Sequence, residues 1–346
     1  MLNRAMRRAA GYIFYALIIS AFVVAMVAEL RVGIGPTCTV CVPAPKDSVE
    51  IVVVGDIMAH LPQVESAKVG EEAYDFVPHF EGVRPLFGRA DYVVANLETT
   101  LSPRPPYSGY PAFATPEQLA HDLAEVGVDA VTLANNHITD KGAEGVLHTL
   151  AALDNAGVDY VGVGVPAVRA GRTGGLIARV GSFRVAFVAA TDVLNRPAEG
   201  VEVARVDTLT LGQKVDSVRD RADLVVALVH WGEEYHREPS HRQKALAEWL
   251  RSRGVDVVVG SHPHVVQPFE VERNEESRTV GAVFYSLGNF ISNQNDEGTD
   301  RGVAVRIGLH RRGAVGPIDL TIEADTIQRV RYTKDGKTHY ELKIEN

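Results

Sequence analysis

Residues 255–264 read VDVVVGSHPH, and the placement of that stretch decides the class of fold. Val255–Val259 is an apolar, β-branched run of strand character that empties into a glycine, a serine and two histidines. Two imidazoles two residues apart at the mouth of a strand can converge on one small object, and a divalent metal is the usual one. The same grammar recurs four times along the chain. Val52–Val54 leads to Gly55-Asp56, Val93–Ala95 to Asn96-Leu97-Glu98, Ala130–Ala134 to Asn135-Asn136-His137, and Leu224–Val229 to His230-Trp231-Gly232. One polar residue after a strand is ordinarily a turn or a helix cap. Five strand ends that each deliver Asp, Glu, Asn or His describe a site.

Outward from these runs, strands alternate with helical patterns. Strands are expected at Val49–Val54, Tyr92–Leu97, Ala130–Leu133, Tyr160–Val163, Leu224–Leu228 and Val255–Val259. Helices are expected at Val83–Arg89, Pro116–Glu125, Ala143–Ala156, Thr208–Asp220 and His241–Arg253, with a hairpin at Gly175–Val180 and Arg184–Ala190. The pattern then turns all-β: Val266–Val271, Thr279–Ser286, Gly302–Leu309, Ile318–Glu323 and a closing hairpin turned at Asp335-Gly336. Alternation of this kind predicts an α/β fold with a largely parallel central sheet. In such sheets the ligand site lies beyond the carboxyl ends of the strands, where the polar residues fall.

Ala9–Ala28 is a run of twenty residues without a charged side chain. That is the length of a membrane-crossing helix, and Arg4, Arg7 and Arg8 before it put the N-terminus inside and the rest outside. A cleaved signal peptide has a shorter apolar core, so the anchor is the better reading. The expected organisation is a cytoplasmic N-terminus (1–8), a transmembrane anchor (9–30), a Gly- and Pro-rich linker (31–48) and one domain (49–346). The linker holds the only cysteines, Cys38 and Cys41, which lack the further ligands a metal knuckle needs. Net charge is −9, and the +3 balance of residues 1–45 leaves −12 for the remainder. So acidic a body argues against nucleic acid as a partner.

Oxygen donors mixed with imidazoles suit one or two divalent ions of Mn, Zn or Fe in a hydrolytic site. Glu98 is the candidate bridging carboxylate, with Asp56 and His264 on one metal and Asn136, His230 and His262 on the other. His137 is the candidate catalytic acid. Asn135 would orient its loop or touch substrate, and Glu234 would serve as base or hold a histidine in place. Asn96, Trp231 and Asn289 are candidate substrate contacts.

The chain resembles the bacterial capsule synthesis proteins of the CapA/PgsA type, associated with poly-γ-glutamate capsules and placed in the calcineurin-like metallophosphatase superfamily. The resemblance is carried by Gly55-Asp56-Ile57-Met58, Asn96-Leu97-Glu98, Asn135-Asn136-His137 with Asp140, and His230-Trp231-Gly232-Glu233-Glu234-Tyr235. It continues through Gly260-Ser261-His262-Pro263-His264 and Tyr285-Ser286-Leu287-Gly288-Asn289-Phe290. It implies a four-layer α/β/β/α sandwich and an anchored, extracytoplasmic domain at the periplasm or cell surface. The implied partners are the membrane, a cell-surface polymer and membrane-bound synthase subunits. One departure stands out. The wider superfamily opens with Asp-x-His, whereas Met58 holds the histidine position here, with His60 two residues further on. Two functions therefore compete: a metal-dependent hydrolase acting on phosphoesters or γ-glutamyl amides, and a non-catalytic subunit that binds polymer or scaffolds a synthase.

Overall fold

A computed structural model describes residues 46–165, 175–313, 316–334 and 336–345, all within one compact unit, Pro45–Asn346. The expected transmembrane anchor, the linker cysteines and Asp335 of the closing turn lie outside the described residues. Among the described residues no helix is long and apolar enough to cross a membrane.

The fold is mixed α/β around one large sheet. Its strand order is Asp159–Val161, Ala130–Thr132, Tyr92–Leu97, Ser48–Ile57, Arg301–Arg311, Ile318–Lys334, Thr279–Phe284, Val257–Ser261, Leu224–His230, Phe183–Thr191 and Leu176–Val180. Two blocks of four parallel strands are embedded in this order. The first runs from Asp159–Val161 to Ser48–Ile57, the second from Thr279–Phe284 to Phe183–Thr191. The antiparallel strands Arg301–Arg311 and Ile318–Lys334 join them.

Burial follows the period of two that a strand imposes. Ile51 and Val53 enter a core shared by both blocks, in contact with a set that includes Phe187, Val226, Leu228, Val257 and Val259. Val52 and Val54 face the other way, into a core closed by Leu123, Leu150 and Leu153 of the helices Gln118–Val126 and Gly142–Ala156. In the second block Val225, Ala227 and Val229 face a third core, with Leu211 and Leu250 from the helices Thr208–Arg219 and His241–Ser252. The two blocks thus face each other across one core, and each carries helices on its outer side. Strands buried on both faces read as continuous Val/Ile/Ala runs, as these do.

Helix ends obey local chemistry. Ser240 accepts from the backbone N–H of Gln243 at 3.3 Å, and Gln243 Oε1 accepts from the Ser240 N–H at 2.9 Å. That reciprocal box starts the helix before the His-Pro-His strand. Asp207 does the same for Thr208–Arg219 by accepting from Leu209 and Thr210.

Several boundaries differ from expectation. Thr115–Pro116 is a short strand, so the helix expected from Pro116 begins at Gln118. The strand expected at Ile318–Glu323 continues to Lys334 and is itself one arm of the closing hairpin. Helices at Leu61–Ala67 and Val77–Phe80 went unforeseen because seven and four residues are too short to show periodicity.

Candidate metal and catalytic site

The carboxyl ends of both parallel blocks meet, and the polar residues that follow them are buried together. Asp56 is the penultimate residue of its strand, and its Oδ1 accepts from Asn96 Nδ2 at 2.8 Å. The same Nδ2 reaches Glu98 Oε2 at 3.2 Å, so Asn96 holds the two carboxylates in register. Asn135 in turn donates to Asn96 Oδ1 at 3.1 Å and to the Leu97 carbonyl at 2.8 Å.

The imidazoles come from the opposite block. His230 ends its strand, with Nδ1 3.0 Å from Ser261 Oγ and Nε2 3.0 Å from Asn136 Oδ1. His264 Nδ1 lies 3.1 Å from Asp56 Oδ2, and its Nε2 3.8 Å from Glu98 Oε1. Glu98 Oε1 is also 3.7 Å from His230 Nε2. His262 and His264 both adopt positive φ, 98° and 59°, a conformation unfavourable for side-chain-bearing residues and frequent at functional sites. The turn lets both rings face one point. Gly260 makes the approach possible, since a Cβ there would meet the Tyr285 carbonyl at 2.0 Å.

Two overlapping groups of ligand atoms result, each within 4.8 Å: Glu98, His262 and His264, and Asp56, Glu98 and His230. Glu98 belongs to both. The pairs expected from sequence are also neighbours, with His264 Nδ1 3.1 Å from Asp56 Oδ2 and the His230 and His262 rings 4.6 Å apart.

The electrostatics suit a cation. Burial, then the neighbouring Asp56 charge, holds the Glu98 carboxyl well above the usual carboxylate range. Burial pushes His230 well below its ordinary value, with further contributions from His262, His264 and His137, and His262 falls to about 4 for the same first reason. Glu98 Oε1 and His262 Nδ1 are buried with no hydrogen-bond partner. Among the described residues no lysine or arginine pairs with Asp56 or Glu98. Neutral imidazoles around unpartnered, buried oxygen and nitrogen acceptors fit a divalent ion.

Beside this cluster, His137 Nδ1 lies 2.8 Å from Asp140 Oδ2, and the imidazole packs edge-on against Phe113 at 4.7 Å. Asn195, which no sequence pattern marked, has Nδ2 3.3 Å from His137 Nδ1 and accepts from Asn136 Nδ2 at 3.4 Å.

Some assignments change. Trp231 is not at a substrate surface: it is 1% exposed, packs with Leu246 and Leu250, and spends its N–H on the Tyr285 carbonyl at 2.8 Å. Asn96 and Asn135 are buried with their amides committed to the carboxylates and the loop, so they position rather than react. Asn289 is 3% exposed and lies beside Asp56 in strand register, away from any open surface. Glu234 is exposed at the rim, near enough for its charge to help raise Glu98. His60 does not replace the missing histidine: its Nδ1 accepts from the Asn293 N–H at 3.3 Å, outside both ligand groups.

The profile described as bacterial capsule synthesis protein PGA_cap matches residues 50–294, spanning every residue placed in the site. The chain belongs to that family. Its capsule-synthesis relatives include the capsule biosynthesis protein CapA of Bacillus anthracis, 33% identical over 281 residues, 77% of this chain and 65% of the relative. The PGA biosynthesis protein CapA of Bacillus subtilis strain 168 is 29% identical over 280 residues, 77% of this chain and 70% of the relative. The chain thus spans just under two thirds of the B. anthracis protein's length. Among solved structures, a 5'-nucleotidase from Candida albicans overlaps 82% of this chain and 52% of its own at 12% identity and a TM-score of 0.42, too weak an overlap to speak to fold or chemistry.

Proposed function

We propose that this capsule-family chain is a membrane-anchored, extracytoplasmic protein of poly-γ-glutamate-type polymer biosynthesis whose domain is a metal-dependent hydrolase of metallophosphatase type. The observation that carries the reading is Glu98, a buried carboxylate with an unpartnered oxygen between His230 and His264. Three cores separating helices, strands, strands and helices support the four-layer architecture. The names of the Bacillus relatives support the polymer, and the charge-free run Ala9–Ala28 supports the anchor.

Asp56, Glu98, Asn136, His230, His262 and His264 would hold one or two divalent ions. When bound, the metal supplies Lewis acidity toward an ester or amide oxygen and lowers the pKa of water. The remaining work falls to the chain itself. Asp140 orients the His137 ring by accepting the Nδ1 proton's hydrogen bond and would steady the imidazolium, whose Nε2 proton would pass to the leaving group and leave the neutral ring behind. Phe113 packs edge-on against the ring and limits its rotation. Asn96 aligns the two carboxylates by donating to both.

The full-length chain, loaded with Mn, should hydrolyse bis(p-nitrophenyl) phosphate or a γ-linked oligoglutamate, and His137→Ala should abolish turnover without loss of metal. Met58, buried where the superfamily carries a ligand, favours the rival reading of a non-catalytic polymer-binding or synthase-scaffolding subunit. Absence of turnover on both substrates with metal bound would leave that subunit as the better account.

A further inference from the structure

Asp56 belongs to a lateral row of three side chains. Its register partners are Asn96 on one side and Asn289 on the other, both in parallel pairing. Paired positions on regular neighbouring strands put their side chains on the same face, and here the register shifts just after Asp56 on the Asn289 side and just before it on the Asn96 side. The two asparagines behave differently. Asn96 turns its Nδ2 toward Asp56 and donates at 2.8 Å. Asn289 donates instead to Gln294 Oε1 at 2.8 Å and to the Thr299 carbonyl at 3.0 Å.

A backbone carbonyl can only accept, so the contact with Thr299 fixes which end of the Asn289 amide is nitrogen. The other end, Oδ1, is buried and has no hydrogen-bond partner. Glu98 Oε1 and His262 Nδ1 are in the same condition. Asn289 Oδ1 is an acceptor outright, and a cation would satisfy it together with Glu98 Oε1 and a ring nitrogen of His262. Asp56 is the penultimate residue of its strand. Met58, a thioether 1% exposed, stands two residues on, and His60 is engaged by Asn293.

We propose that Asn289 Oδ1 is a metal ligand at the Asp56 end of the cluster, supplying the donor that Met58 does not. The assignment rests on the metal reading of the site. A neutral amide oxygen is a hard donor suited to Mn rather than to a soft ion. It adds no negative charge to a cluster that already contains Asp56 and Glu98.

The experiment compares full-length wild type with Asn289→Leu and Asn289→Asp, purified in detergent. Mn2+ affinity and stoichiometry are measured after chelation and reloading, together with the thermal midpoint of the metal-free proteins and the visible spectrum of bound Co2+, which reports coordination number. Asn289→Leu should bind Mn2+ at least tenfold more weakly or lose an equivalent, and its metal-free midpoint should fall only by what the two lost amide hydrogen bonds account for. Asn289→Asp should bind more tightly and shift the Co2+ spectrum. Wild-type Mn2+ binding and an unshifted Co2+ spectrum in these variants would overturn the assignment and leave Asn289 a strand-end anchor. Were the leucine variant not to fold, the aspartate variant decides by its spectrum and affinity alone. A wild type that takes up no Mn2+ would instead overturn the metal reading itself, before any variant is considered.

Discussion

His137 and Asp140 form a buried pair, Nδ1 to Oδ2 at 2.8 Å, and the same carboxylate oxygen accepts from the Phe113 N–H at 2.8 Å. Asp140 thereby ties the imidazole to the loop that packs on its face. Replacing Asp140 with Asn keeps the shape and an acceptor oxygen, oriented by the Phe113 N–H, but removes the charge that steadies the ring. On the hydrolase reading, Asp140→Asn should lower kcat about 10- to 100-fold, with Mn content equal to wild type. Steady-state kinetics beside elemental analysis checks this, and a parallel fall in bound metal would mean that the pair serves the metal cluster instead.

Metal removal should be felt as lost stability. A ligand present at 100 times its dissociation constant stabilises the state it binds by about 2.7 kcal/mol. Chelation should therefore lower the unfolding midpoint of wild type. It should shift His230→Ala by less, because that variant loses the group Asp56, Glu98 and His230 and keeps only Glu98, His262 and His264. Calorimetry with and without chelator distinguishes the two, and equal shifts in both proteins would contradict the placement of His230.

Gly55 is pressed against the neighbouring segment: a Cβ there would lie 2.0 Å from the Gly288 carbonyl. The Asp56 N–H donates to that same carbonyl at 3.1 Å. Gly55→Ala must push the two strand ends apart, at a cost of about 1–3 kcal/mol by analogy with overpacked cores. Denaturant unfolding should show the loss, and metal affinity should fall with it.

His79 predicts an acid-labile step remote from the site. Burial lowers it from 6.5 to about 4, and Phe76, Phe80 and Tyr340 surround its ring. The folded state resists protonation that the unfolded state accepts. Stability from this group is therefore complete above pH 6.5 and is lost as pH falls toward 4, by about 3 kcal/mol at the limit. His79→Gln keeps a partner for Ser66 and should flatten the pH dependence of unfolding in that window. An unchanged slope would show that His79 is not the group titrating.

The strand ends were legible because apolar β-branched runs give way abruptly to Asp, Asn, Glu or His, and the structure gathers Asp56, Glu98, Asn136, His230, His262 and His264 from them. What sequence could not supply was direction. Trp231 sits in the same phrase as His230, yet alternation along the strand sends it into the helix-facing core. Asn195 and Ser261 act through contacts across 58 and 31 residues, and no local pattern encodes those. The full length of Ile318–Lys334 was hidden because a half-exposed strand alternates charged and apolar residues without a run to mark its end.

The two parallel blocks contribute unlike chemistry. Asp56, Glu98 and Asn136 bring oxygen from residues before 140, whereas the imidazoles of His230, His262 and His264 arrive more than ninety residues later. Neither part of the chain owns a complete donor set. Occupancy of the centre would therefore act as an inspection of assembly: a polypeptide whose halves have closed out of alignment has nothing to offer an ion, and one that has closed correctly is locked by it.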